Sequence, residues 1–210
     1  TVSLGTGTGA NSVGAVTQPQ ATGIITASTL NVNSDGGGVT LGQSNELVNL
    51  GTVVTTGGAF TYVDATGVSE AAGSINTTAA GAAGGAVSIT AGGALALGNI
   101  NTSGTTSGVG GDVTLVTTAG GITTANGTTI NTSGAGGNNN AGTVILRSNN
   151  TAVGLSGAIT ASGAGTGTGT VSLGTGTGAN SVGAVTQPQA TGIITASTLN
   201  VNSDGGGVTL

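Results

Sequence analysis

Apolar and polar residues alternate along this chain in short bursts. Val39-Thr40-Leu41, Phe60-Thr61-Tyr62, Val87-Ser88-Ile89, Val113-Thr114-Leu115, Val144-Ile145-Leu146 and Val171-Ser172-Leu173 share one apolar-x-apolar pattern, and Val208-Thr209-Leu210 restarts it. Successive starts lie 21, 27, 26, 31, 27 and 37 residues apart. A period of two puts the first and third residue of each triplet on one face of a strand and the middle Thr or Ser on the other. A second signature follows each of these, usually 13 to 17 residues later: Val54-Thr55-Thr56, Ile75-Asn76-Thr77, Ile100-Asn101-Thr102, Ile130-Asn131-Thr132 and Ile159-Thr160-Ala161, with Ile194-Thr195-Ala196 at 23. Weaker apolar patches, such as Leu95-Ala96-Leu97 and Val153-Gly154-Leu155, sit between the two. The pattern predicts coils of three short strands, each coil about 28 residues long, within the range of solenoid repeats.

A longer repeat contains this one. Residues Thr1 to Leu41 recur unchanged as Thr170 to Leu210, 169 residues further on. Self-similarity of this kind marks a tandem array. The chain reads as a single continuous solenoid over 1–210, in which 1–169 is one full unit and 170–210 the start of the next. Motif spacing puts six coils in the unit, with the two copies in phase and each unit adding about 29 Å of rod at ~4.8 Å per coil. In that phase the outward positions of the first strand form one column: Ser3, Thr40, Thr61, Ser88, Thr114, Ile145 and Ser172.

A single coil cannot bury its inner face, so coils must stack strand on parallel strand, with like residues over like. The fold expected is all-β, a right-handed parallel β-helix of roughly seven coils. Its handedness follows from the bias of parallel crossovers. Asn76, Asn101 and Asn131 should then form an outward ladder whose amides satisfy one another, with Thr77, Thr102 and Thr132 turning in beside it. Runs such as Ser103 to Gly111 and Gly134 to Asn138 read as corners, where Gly and Asn allow the positive φ of tight turns.

Composition removes most chemistry. His and Cys are absent and Arg147 is the only basic residue, so triads, thiol nucleophiles, Schiff-base lysines and ordinary zinc sites have no raw material. Asp35, Glu46, Asp64, Glu70, Asp112 and Asp204 are scattered rather than paired for acid–base work. A net charge of -5 and two aromatics, Phe60 and Tyr62, offer nucleic acid neither phosphate neutralisation nor a stacking platform. Forty-five glycines and 3% charged residues resemble the composition of a disordered chain, but 36% hydrophobic residues and a mean hydropathy of +0.33 supply a core. No apolar run reaches the ~18 residues of a membrane span, and no charged-then-apolar leader opens the sequence. The absent Met fits an internal or processed segment.

The G-G-x-V-x-L strands, such as Gly84 to Ile89, and the I-N-T-S-G corners, such as Ile100 to Gly104 and Ile130 to Gly134, resemble the filamentous haemagglutinin-type giant repeat adhesins of bacteria. The resemblance covers essentially the whole chain. It implies a right-handed β-helix, secretion to the cell surface, and a role in adhesion, aggregation or sheath formation.

Other motifs weigh less. Gly108 to Asp112 is like a calcium-binding nonapeptide, but its glycine spacing differs and adjacent coils lack a matching acid. Gly5 to Gly9 lacks the lysine and helix of a phosphate loop. The sequons at Asn101 and Asn131 are expected bare in a bacterial setting. Polysaccharide lyases share the fold but need clustered carboxylates with basic partners. The function expected is thus a structural or adhesive extracellular fibre, not an enzyme, with no cofactor or metal. Expected partners are neighbouring units of the same array, end to end, with like fibres or cell-surface glycans as further candidates. The alternative is a threonine-rich ice-binding solenoid, which would need two regular outward Thr columns. Asp112, Val116 and Arg147 interrupt the second.

Overall fold

The structure, a computed structural model, describes residues 1–5, 14–19, 21–70, 73–149, 151–174, 182–188 and 190–210, with only the backbone of Val182, Asp204 and Gly205. The Gly5 to Gly9 corner lies, beyond Gly5, outside the described residues. Every regular element among them is a strand, and every strand pairing is parallel. The chain forms a β-solenoid of about seven turns.

Each turn has three faces. On the first lie Phe60–Asp64, Val87–Ala91, Val113–Thr117, Val144–Ser148 and Thr170–Leu173. The second holds Val68–Ser69, Leu95–Leu97, Ile122–Thr124, Val153–Leu155 and Val182–Thr186. The third holds Ser74–Asn76, Asn99–Asn101, Thr129–Asn131, Ala158–Ala161 and Ile194–Ala196. Val39–Val54 runs as one bent strand that pairs on all three faces, with Phe60–Asp64, Val68–Ser69 and Ser74–Asn76.

Alternation sets which side chains enter the core. Phe60, Val87, Val113 and Val144 stack directly over one another, as do Tyr62, Ile89, Leu115 and Leu146, all buried. Ile75, Ile100, Ile130 and Ile159 form the matching column of the third face. At about 25 cal/mol per Å² of apolar surface, each enclosed side chain contributes roughly 1.5–3 kcal/mol. Phe60 and Tyr62, two residues apart, lie with ring planes 4° from parallel and centroids 6.2 Å apart.

The register corrects the phase expected from motif spacing. Ser3 pairs with Asn31 and not with Thr40, so it lies outside the first-face column. Val171 pairs onward with Leu199, 28 residues later, and Val208 pairs with Val185 on the second face. The anomalous spacing of 37 has this cause: Val208-Thr209-Leu210 repeats the first-face motif but occupies the next face. Likeness of motif did not decide stacking, because each face demands only apolar-in, polar-out alternation, which V-T-L satisfies anywhere.

Candidate functional site

The residues expected as a ladder lie where the third face turns toward the first. Asn76, Asn101 and Asn131 are half-buried and pair in register, Asn76 with Asn101 and Asn101 with Asn131. Their amide oxygens do not bond the amide of the next coil, a departure from the expected mutual ladder. Each Oδ1 accepts from its own chain two residues on: from the Thr78 N–H at 3.1 Å, the Ser103 N–H at 3.2 Å and the Ser133 N–H at 3.1 Å. The Thr78 and Ser103 hydroxyls add bonds of 2.8 Å. This Asx turn ends the strand by giving the backbone a local acceptor that competes with the neighbouring coil.

Thr77, Thr102 and Thr132 are fully buried. Their hydroxyls donate to the carbonyls of Gly85, Gly111 and Gly142 at 2.5, 2.6 and 2.8 Å. The same glycines return their N–H groups to the threonine carbonyls at 2.9, 2.7 and 2.8 Å. Each pair closes an arch whose two ends lie 8, 9 or 10 positions apart in the chain. Shorter versions stand at Ser34 with Gly37, at 2.7 Å, and at Thr55 with Gly58. Sequence reading turned the threonines inward but missed their partners. The signal was present: a glycine two residues before the first-face strands that open at Phe60, Val87, Val113 and Val144, namely Gly58, Gly85, Gly111 and Gly142.

Those glycines are required by close approach. A Cβ at Gly85, Gly111 or Gly142 would lie 2.2, 2.3 or 2.0 Å from the carbonyl oxygen of Gly58, Gly85 or Gly111, one coil back. In the arch from Thr102 to Gly111 the residue with positive φ is Thr106, at 57°, while Gly104, Gly108 and Gly110 each lack room for a side chain. The arches also stack: Asn139 Nδ2 donates to the Ser107 carbonyl at 2.7 Å, and Asn138 and Asn140 Oδ1 accept the Thr166 and Thr168 N–H groups at 3.2 and 2.9 Å. They line the corner between the third and first faces, where Val109 is exposed.

The scattered acids stay scattered. Asp64 is buried and fully engaged: Oδ2 accepts the Tyr62 hydroxyl at 2.5 Å and the Leu47 N–H at 3.0 Å, and Oδ1 accepts the Thr66 N–H and hydroxyl at 2.9 Å each. Burial, then the Asp64 carboxylate beside it, push the Tyr62 phenol above its ordinary range and keep it neutral. Glu70 is enclosed too; its Oε2 accepts the Gly98 N–H at 2.5 Å and its Oε1 has no partner among the described residues. Burial pushes its carboxyl up to about 8, against the lowering effect of the Gly98 N–H. Asp112 Oδ1 accepts the Thr143 N–H of the following coil at 2.7 Å. Among the described residues no three His, Cys, Asp or Glu gather to hold a metal.

The outward column of the first face runs Thr40, Thr61, Ser88, Thr114, Ile145, Ser172 and Asn200, and beside it Thr90, Val116 and Arg147 stack in turn. Neither is a continuous row of hydroxyls. No family model, curated protein or solved structure matches the chain.

Proposed function

We propose that this chain is a segment of a long extracellular fibre, built from tandem 169-residue solenoid units on a bacterial cell surface, with a mechanical or adhesive role rather than an enzymatic one. The observation that carries the reading is the behaviour of the duplicated stretch. Both copies fold on themselves alike: Val2 pairs with Leu30 as Val171 does with Leu199, and Val16 with Val39 as Val185 does with Val208. In the first copy Leu30, Val39 and Leu41 are at most 2% exposed, covered by the coil that follows; their counterparts Leu199, Val208 and Leu210 are 42%, 48% and 51% exposed. A further coil of the same sequence would bury them at no change in cross-section.

Such an end also carries unpaired strand N–H and C=O groups, which recruit further strands. The 210-residue chain is accordingly expected to associate end to end in a concentration-dependent way in the ultracentrifuge, and a polar cap fused to each end is expected to keep it monomeric. A chain that stays monomeric uncapped at high concentration counts against the reading. Electron micrographs of the native material supply the second test, with long thin filaments expected and isolated short particles opposed.

A further inference from the structure

The two identical copies do not occupy equivalent positions about the solenoid axis. Starting from the strand Val2–Leu4, the third-face column passes from Leu4 through Val32 and Val53, then through Ile75, Ile100 and Ile130 to Ile159, which is six turns. The counterpart of Val2 is Val171. It comes one passage after Ile159 and lies on the first face, against Val144. The offset holds along the copy: Val16 lies on the first face, in line with Val39 and Phe60, whereas Val185 lies on the second, against Val153. Likewise Val39 is on the first face and Val208 on the second.

We infer that in an array of these units each unit is turned by one face, a third of a turn, relative to the one before it. Every lateral feature of the unit is then shown on all three sides of the rod and returns to its own side only with the fourth unit. The inference rests on the tandem-array reading and follows from the count of strand passages. A unit of six turns and one further face cannot bring its successor back into phase in a three-faced coil. At ~4.8 Å per turn it adds about 30 Å of length.

The sequence tolerates the change of face because both placements satisfy the same local rules. Val171 and Leu173 are buried on the first face. Val2 and Leu4 pack against the core on the third. The consequence concerns the edge of stacked arches between the third and first faces, which holds Val109 and the Asn138 to Asn140 run. In a continuous rod this edge is interrupted once per unit and resumes on the neighbouring edge. The surface fits a partner that reads a patch no longer than one unit, approached from any side. It does not fit a partner that needs one flat face along the rod, such as an ice plane.

The chain has no cysteine, so introduced pairs report cleanly. Adjacent parallel strands hold facing Cα atoms at a spacing a disulfide can bridge. In the 210-residue chain, Ser172→Cys with Asn200→Cys is expected to cross-link within the monomer under mild oxidation, and Ser172→Cys with Thr209→Cys is not. The reverse result would put the two copies in phase and overturn the inference. In a chain of three units carrying Thr123→Cys in each, gold-labelled and viewed by cryo-electron microscopy, the labels are expected on three different sides at intervals of about 30 Å along the rod. Labels along one side of a continuous rod overturn the rotation alone. Separate beads in place of a rod overturn the array reading and this inference with it.

Discussion

The Thr102 hydroxyl donates to the Gly111 carbonyl at 2.6 Å, and the Gly111 N–H returns to the Thr102 carbonyl at 2.7 Å. Two bonds between two buried residues nine positions apart thus hold the arch at a fixed span. Replacing the hydroxyl by an isosteric methyl, Thr102→Val, leaves a buried carbonyl short of one partner and is expected to lower stability by about 1–3 kcal/mol. Thr102→Ser keeps the bond and should recover most of that loss. Denaturant unfolding of the two variants checks the order; equal loss in both would mean that packing of the methyl, not the hydrogen bond, matters.

Gly111 and Gly154 should respond oppositely to the same change. A methyl at Gly111 meets the Gly85 carbonyl at 2.3 Å, in backbone that cannot move without breaking the stack, so Gly111→Ala is expected to destabilise by several kcal/mol. At Gly154, inside the strand Val153–Leu155, the nearest atoms to a Cβ are the Thr123 and Thr186 side chains at 3.8 and 3.9 Å. Gly154→Ala is expected to be neutral or to stabilise by about 0.4–1 kcal/mol through the unfolded chain. Thermal melts of both proteins decide it.

Glu70 makes stability depend on pH in the direction opposite to most carboxylates. Its folded-state value, about 8, lies above its ordinary 4.5, so the folded protein holds a proton that the unfolded chain releases between those values. Its contribution is fully present below about pH 4.5 and is lost as pH rises through 8. Glu70→Gln cannot ionise and is expected to flatten this part of the profile, with a gain at pH 9 on the order of a few kcal/mol. Melting temperatures of wild type and variant across pH 4 to 9 measure it. A wild-type minus variant difference that does not change over that range would place the carboxyl in water.

Ile100 lies fully buried between Ile75 and Ile130 on the third face. Ile100→Asp puts a carboxylate without a partner into that column and is expected to cost roughly 3 kcal/mol or more. Ile100→Val at the same position should cost only about 0.5–1.5 kcal/mol. Unchanged melting of the Asp variant would contradict the inward assignment.

The amino-acid sequence by itself determined the strand content, the three strands per turn, and the inward set of Val, Leu and Ile, because a period of two leaves each triplet one choice of buried face. It also put Thr77, Thr102 and Thr132 inside. The pairing of those threonines with Gly85, Gly111 and Gly142, and the burial of Asp64 and Glu70, came from the tertiary structure: a glycine two residues before a strand shows in the sequence, but what the next coil places against it, or against an acid in a corner, does not. The phase of the repeat was decided there as well. Val208 and Val171 head the same motif, yet one stacks on Val185 and the other on Val144. Local alternation specifies in or out. Which face a strand occupies depends on how many corners the chain has turned since the last one, and that is a property of the whole coil.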